Sequence, residues 1–468
     1  MQLTDLVSLP TIGFGCLALL GIAYHYRRST QSTKRPPGPS GYLFIGNLLE
    51  IVNAERPHRI FSQWCKQYGN IVRFTAFGVE NIVINKFSSA IELLEKRGAI
   101  YSDRPRLVLV TEIIGWDAAM PGMQYGQQFR KHRKHSNALL NANAARGYTT
   151  IHEELASRLL SALASQPDKF YDHTLIYATS TIFRLAYDID ITSEKHHLIR
   201  LANSAIKKSA EAFQVSGALV DVFPFLKWLY TSYPDSAPFS GFKTAIDSLR
   251  KEVASANNVP LGGLDKVVPE DEHDICGLAG ILYGAGQETV TLYWRWYTTL
   301  KFSARHKLRS MPSCPMTDSQ NLMTGFTSLI LTHWAAPLVI AIPHTVTQDD
   351  VYEGYFIPKG TSILASIYDM LNACPHPTEF NPDRFVDGTD LGDVPSDTRD
   401  VVFGFGRRRC PGLHVADNSV WTAIAQMLAS FEFLPEIVDG TEQLPPLKWI
   451  EAMTRYFLLW RNGYGLLN

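Results

Sequence analysis

The chain has 468 residues with 44 basic against 45 acidic side chains, a formal net charge of -1, so its charge balance gives no footing for nucleic acid or a strongly charged partner. The length exceeds that of a small domain and suits one large catalytic domain. Six cysteines, at 16, 65, 276, 314, 374 and 410, fall at no metal-finger or redox-pair spacing, which argues against a disulfide framework and fits a reducing compartment.

Residues 6–24 are largely apolar and are followed by His25, Arg27, Arg28, Lys34 and Arg35. That length spans a bilayer, and the basic flank belongs on the cytoplasmic side. Only Asp5 is charged ahead of the run, whereas a cleaved signal peptide carries positive charge there, so residues 1–28 read as an uncleaved anchor. Pro10 and Thr11 weaken the run and leave a tilted or partly interfacial helix as the alternative. Residues 34–41, Lys-Arg-Pro-Pro-Gly-Pro-Ser-Gly, cannot continue a helix, because proline lacks the amide donor and fixes φ. They place a hinge at residues 29–41, ahead of a domain over residues 42–468.

Residues 71–74 and 81–84 are short β-prone runs broken at Gly78, the pattern of a hairpin. A helix follows, with Ser88 or Ser89 as its cap, Ile91, Leu93 and Leu94 on its buried side and Gly98 at its end. Phe129 to Arg133 opens another helix, whose cations suit either a carboxylate ligand or solvent. From about residue 152 to 229 apolar residues recur at helical spacing, with breaks at Pro224 and Pro234. Phe213, Val215, Phe223, Phe225 and Trp228 in this stretch suit core packing as well as a binding surface.

A long helix is expected over residues 271–300, opened by acids that suit the helix dipole. Its middle reads Ala285-Gly286-Gln287-Glu288-Thr289. Small residues there let a ligand approach the backbone, and an adjacent acid and alcohol can pass protons. Residues 338–342 are apolar and precede a β-prone segment at 343–361.

Residues 403–412 read Phe-Gly-Phe-Gly-Arg-Arg-Arg-Cys-Pro-Gly. Arg407, Arg408 and Arg409 beside Cys410 should lower its thiol pKa and make the thiolate available to a soft metal. Gly404, Gly406 and Gly412 suit a tight loop against a flat ligand, and one thiolate from such a loop is one way to hold haem iron.

Phe403, Gly406, Arg408, Cys410 and Gly412 match every fixed position of Phe-x-x-Gly-x-Arg-x-Cys-x-Gly, so the segment resembles the haem-binding signature of the cytochrome P-450 family. The resemblance covers most of residues 36–468 and is most similar to fungal microsomal members. It implies a mainly α fold with a small β subdomain, heme b with Cys410 as axial thiolate, and a monooxygenase that inserts one oxygen atom from O2 into a lipophilic small molecule. Ala285 and Gly286 would lie beside the haem, with Glu288 and Thr289 as the proton-delivery pair. Arg133 takes the Arg place of the family's Trp-x-x-x-Arg and would bind a haem propionate, while Phe129 replaces the Trp. Residues 205–229 would lie near the substrate-access lid, residues 338–342 on the substrate side of the haem, and His344 near a propionate-binding strand or in the core. The implied partner is an NADPH-dependent flavoprotein reductase, and the implied location is the endoplasmic reticulum membrane, spanned once with the catalytic domain in the cytoplasm.

The chain departs from the family in one place. A Glu-x-x-Arg pair is expected between the long helix and the cysteine loop, yet no Glu or Arg occurs from residue 310 to 352. Ile330 and His333 stand near its place, and Pro312 and Pro315 interrupt any helix there. Arg384, in Pro-Asp-Arg-Phe, would then lack its charged partners. The alternative reading is therefore a catalytically impaired membrane-anchored pseudoenzyme, or a defective gene model, with poor haem retention.

Overall fold

The computed structural model describes residues 34–54, 56–113, 116–193, 196, 199–200, 220–221, 223–228, 274, 277–278, 280–286, 336, 338–377 and 392–431, together with four short strands at 436–438, 441–443, 449–451 and 455–457. These residues are mainly helical with a small sheet, as the sequence implies.

The hairpin forms as expected. Strands β1 (Ile71–Ala76) and β2 (Val79–Ile84) pair antiparallel with Ala76 opposite Val79. The two residues between them, Phe77 and Gly78, both take positive φ, +48° and +76°, the turn whose twist matches that of paired strands. Two further strands, β3 (His344–Thr345) and β6 (Ser362–Ala365), complete a sheet of order β1-β2-β6-β3, in which β6 runs parallel to β2 and antiparallel to β3. Between them β4 (Asp350–Tyr352) and β5 (Tyr355–Ile357) form a separate hairpin, so the predicted β segment is present. Residues 34–41 lie along this subdomain. The Arg73 N–H donates to the Pro37 carbonyl at 2.9 Å, and Arg35 pairs with Glu80 at 2.5 Å.

Helix α1 (Pro57–Tyr68) starts with proline at its first turn, where the missing N–H is no loss. Its Phe61, Trp64 and Cys65 share one face and bury against Val72, Phe74 and Val83 of the sheet. The next helix, α2 (Phe87–Ala90), widens into the turns Ile91–Lys96, and Leu93 and Leu94 are fully buried in the core. Its cap differs from expectation. Lys86 precedes the first turn with no side-chain bond, and Ser89 lies inside the helix, accepting from the Tyr352 hydroxyl at 3.2 Å. Gly98 does not end that element but begins the short helix Gly98–Tyr101, because the wide turns have already closed at Lys96.

The helical body comprises α3 (Gln127–Leu140), α4 (Ala142–Gly147), α5 (Thr149–Ser165), α6 (Phe170–Tyr187), α7 (Ile367–Leu371) and α8 (Leu413–Ser430). Leu155, Ala156, Leu159 and Leu163 form one stripe on α5, buried with Tyr177 and Ala178 of α6 and Val420, Ala423, Ile424 and Met427 of α8. Each Leu contributes about 1.5–3 kcal/mol by leaving water. A second cluster joins Leu139 of α3, Phe183 of α6, Tyr283 and Val415 of α8, with the Phe183 and Tyr283 rings edge to face at 5.3 Å. Helix α8 is thus fixed on two sides, and its N-terminus begins beside Cys410. Residues 280–286, from the middle of the predicted long helix, are helical.

No helix among the described residues is long and apolar enough to cross a membrane. The predicted span at residues 6–24 lies outside them, as do Glu288, Thr289, Ile330, His333 and Arg384.

Candidate functional site

The Cys410 loop is tied at both ends. The Cys410 N–H donates to the Phe403 carbonyl at 2.7 Å, and the Arg408 and Arg409 N–H groups close turns onto Phe405 and Gly406. Phe405 is buried and Phe403 packs on the sheet-side core. Gly406 has φ +52°, and a Cβ there would sit 2.3 Å from the Leu94 carbonyl oxygen, so only glycine lets the loop lie against the turns 91–96. Helix α8 has no side-chain N-cap, and the backbone N–H groups of Gly412 and Leu413 at its start act on the Cys410 sulfur to lower its pKa. Those N–H groups and the helix dipole favour a thiolate there.

The thiol nevertheless differs from the sequence expectation, for its pKa is raised. Desolvation dominates, outweighing the two N–H groups and the attraction of Arg133 and Arg409. Two of the three adjacent arginines are spent elsewhere: Arg407 donates to the Tyr125 hydroxyl at 3.1 Å, and Arg408 to the carbonyls of Ser102, Met120 and Met123 at 2.8, 3.3 and 2.7 Å. Cys410 is solvent-accessible even though neighbouring atoms desolvate its sulfur.

Three guanidiniums gather near this loop. Arg133 on α3 donates to the Arg409 carbonyl at 2.6 Å, is pushed down in pKa by burial, and feels Cys410. Arg408 lies over the Phe129 ring, 3.8 Å from its centroid, so the phenylalanine in the Trp place acts as a cation–π platform. Burial, with Arg133 among its neighbours, brings Arg408 down to about 10. Arg104, which no sequence motif singles out, is 6% exposed and donates to the carbonyls of Pro121, Ile342 and Pro343 at 2.9, 2.7 and 2.8 Å. Burial, then the proximity of Arg408, brings it down to about 9. Among the described residues the hydrogen-bond acceptors of all three are backbone carbonyls. Asp103 is the carboxylate whose charge acts on Arg104 and Arg408, so three guanidiniums share one anion among the described residues and retain charge for an anionic ligand. A haem fits the donors present: a sulfur for its iron and guanidiniums for its carboxylates.

The remaining predicted residues fall as follows. Phe403, Gly406, Arg408, Cys410, Gly412 and Arg133 come together. Ala285 is exposed, and Gly286 packs on α6, where a Cβ would approach Ile182 Cδ1 to 2.5 Å. His344 is 4% exposed, sits 2.7 Å from the Tyr101 carbonyl through Nδ1, and is held neutral by burial at about 3, so it is a satisfied core histidine. Of residues 338–342, Val339 and Ile340 bury among Phe61, Trp64 and Val72, and Ala341 joins the sheet-side core. Their apolar character therefore reflects packing, with Leu338 and Ile342 less buried. In the expected lid, Phe223, Phe225 and Trp228 are 41%, 67% and 56% exposed, while Phe213 and Val215 lie outside the described residues.

Comparison with known proteins agrees with this geometry. The Cytochrome P450 family model matches residues 36–297 and 335–454. A cytochrome P450 monooxygenase of Hericium erinaceus, eriC, is 63% identical over 492 aligned residues, covering 97% of this chain and 96% of that protein. Cytochrome P450 monooxygenase claR of Ampulloclitocybe clavipes is 30% identical, covering 96% and 89%, and cytochrome P450 monooxygenase 136 of Postia placenta is 28% identical, covering 97% and 92%. The alignment with the Hericium protein is longer than this chain's 468 residues, so that relative carries residues absent here. The family match breaks at 298–334, the stretch in which the Glu-x-x-Arg pair is missing.

Proposed function

This chain belongs to the cytochrome P450 family, whose enzymes use haem iron with a thiolate axial ligand, and from that premise we propose that it is a monooxygenase with Cys410 as the ligand. The substrate class is a lipophilic small molecule, and the setting secondary metabolism or detoxification. The observation that carries this reading is an accessible sulfur at the start of α8 beside three guanidiniums whose hydrogen-bond acceptors, among the described residues, are backbone carbonyls. When bound, haem supplies the redox chemistry. The protein's share is to hold and orient it. Gly412 and Leu413 N–H groups would favour the sulfur as thiolate, Arg104 and Arg133 would take the carboxylate arms, and Arg408, whose nitrogens donate to carbonyls, would add its positive charge. From the motif alone, the Thr289 hydroxyl and Glu288 carboxyl move protons, with Ala285 and Gly286 leaving room beside them. Electrons come from a flavoprotein reductase fed by NADPH, a reading supported by exposed Arg130 and Lys134 on α3 and exposed Arg407 in the Cys410 loop.

We place the protein on the endoplasmic reticulum membrane, with residues 1–28 as anchor, 29–41 as hinge and 42–468 as cytoplasmic catalytic domain. The apolar run at 6–24 supports this, as do Leu43 and Phe44, 83% and 82% exposed near the point where the chain leaves the anchor. The test is the spectrum of the reduced, CO-treated full-length protein. A red-shifted thiolate-type band that disappears in Cys410→Ser supports the assignment, and haem bound without such a band overturns it.

The break at 298–334 favours a second reading, that this form retains the fold but holds haem poorly. Protein that carries no haem in that experiment would decide for it, and sequencing the transcript across residues 300–336 would show whether the segment belongs to the mature message.

A further inference from the structure

Beside the Cys410 loop lies a two-carboxylate clip that no sequence motif announces. Arg399, at the start of the short helix Arg399–Val402, donates from Nε to both oxygens of Asp397 at 2.9 Å and from Nη2 to Oδ2 at 2.7 Å. Its backbone N–H reaches the same carboxylate at 2.9 Å. The remaining nitrogen, Nη1, crosses to Asp417 Oδ2 on α8 at 2.8 Å. Alongside, Arg409 pairs with Asp400 at 2.6 Å.

Isolated surface ion pairs contribute little, but planar multidentate geometry and shared partners are the recognised exception. The Arg399, Asp397 and Asp417 side chains are 29%, 35% and 21% exposed, so the clip is largely shielded. Its hydrogen bonds to Asp397, together with the Asp417 charge, raise the Arg399 pKa against the opposing effect of burial. The topology gives the clip its consequence. Residues 399 and 417 bracket Cys410 in sequence. The Arg399 carbonyl accepts from Phe403 N–H at 3.1 Å, and the Phe403 carbonyl accepts from Cys410 N–H at 2.7 Å. On the far side, Asp417 lies one turn into α8, the helix that begins at Leu413 directly after the Cys410 loop. The angle between the short helix and α8 therefore sets the position of the sulfur, and Arg399 is the side chain that joins the two.

We propose that Arg399 is a positioning residue for the Cys410 ligand, fixing the loop against α8 by bridging Asp397 and Asp417. It does this in a chain that has no Glu or Arg from residue 310 to 352 to brace the loop from another side. The proposal rests on the reading of Cys410 as the thiolate ligand.

The test uses the full chain loaded with haem, as wild type, Arg399→Gln, Arg399→Lys, Asp417→Asn and the Arg399→Gln/Asp417→Asn double variant. The readout is the fraction of bound haem that gives the red-shifted thiolate-type band after reduction and CO, which is independent of how much haem each variant holds. Arg399→Gln and Asp417→Asn are expected to lower that fraction about two- to fivefold, the range for a well-formed, half-shielded pair. The double variant should be no worse than Arg399→Gln, since the two residues form one interaction. Arg399→Lys should recover part of the loss, because lysine keeps the charge and loses the fork. A wild-type fraction in both single variants, or effects that add in the double variant, overturns the proposal, and so does lower haem content at an unchanged thiolate fraction. Wild-type protein that binds haem without the thiolate band fails earlier, at the Cys410 assignment itself.

Discussion

Replacing Gly406 by alanine should destabilise the protein well beyond the effect of the same change at Gly404, two residues away. Both glycines have positive φ, +52° and +75°, and moving an L-residue into that region costs about 1–2 kcal/mol at each. The surroundings separate them. A Cβ at Gly404 would meet nothing nearer than the Arg408 carbonyl oxygen at 4.0 Å, so the backbone term is the whole effect. At Gly406 the added carbon would lie 2.3 Å from the Leu94 oxygen and 3.0 Å from the Glu95 Cα. Both are backbone atoms of the turns 91–96, anchored by buried Leu93 and Leu94, and cannot rotate aside as a side chain could, so overpacking of this kind adds about 1–3 kcal/mol. Gly404→Ala should therefore cost about 1–2 kcal/mol and Gly406→Ala about 2–5 kcal/mol. Urea unfolding followed by tryptophan fluorescence measures the difference, and the thiolate-type spectrum of the loaded protein reports whether the sulfur has moved. If the two variants agree within about 0.5 kcal/mol, the loop is not seated on those turns and the reasoning fails.

Arg104→Met should lower haem affinity by roughly tenfold or more, the loss of one charge-assisted hydrogen bond of about 1.5–3 kcal/mol, measured by haem transfer to apomyoglobin. Retained affinity would show that the buried guanidinium serves only its three carbonyls. Burial holds His344 at about 3 and His152 at about 4, both below the ordinary value of 6.5. The unfolded chain then takes up protons that the fold refuses, so their contribution is complete above pH 6.5 and falls away as pH drops toward 4. Urea midpoints across this range should fall less steeply in His152→Leu than in wild type. Introducing Ile330→Glu with His333→Arg should raise haem content if the missing pair limits retention, and an unchanged content would count against that account.

The hairpin, the helical stripe on α5 and the cysteine loop were legible in the sequence because each is a local pattern: alternation, periodicity and a fixed spacing of glycine, arginine and cysteine. Local pattern failed where burial decides. The pKa of Cys410 depends on where the arginine side chains go, and two of them leave for Tyr125 and the carbonyls of the 102–123 segment. The apolar run at 338–342 reads as a ligand wall, but Val339 and Ile340 complete the core under α1. Capping by Ser88 or Ser89 is reasonable from residue type, yet Phe87 already opens the helix, with Ser89 inside it.

By itself the sequence determined the family, the α-rich fold with its small sheet, the position of the loop and the absence of Glu and Arg from 310 to 352, since these depend on which residues stand at which spacing. Tertiary structure alone decided the company that loop keeps. Arg104 and Arg399 lie outside any recognised motif, and their roles follow from groups far along the chain: carbonyls at 342 and 343 for one, a carboxylate at 417 for the other. A buried or bridging charge is defined by what surrounds it in space, and one chain read in order does not contain that information.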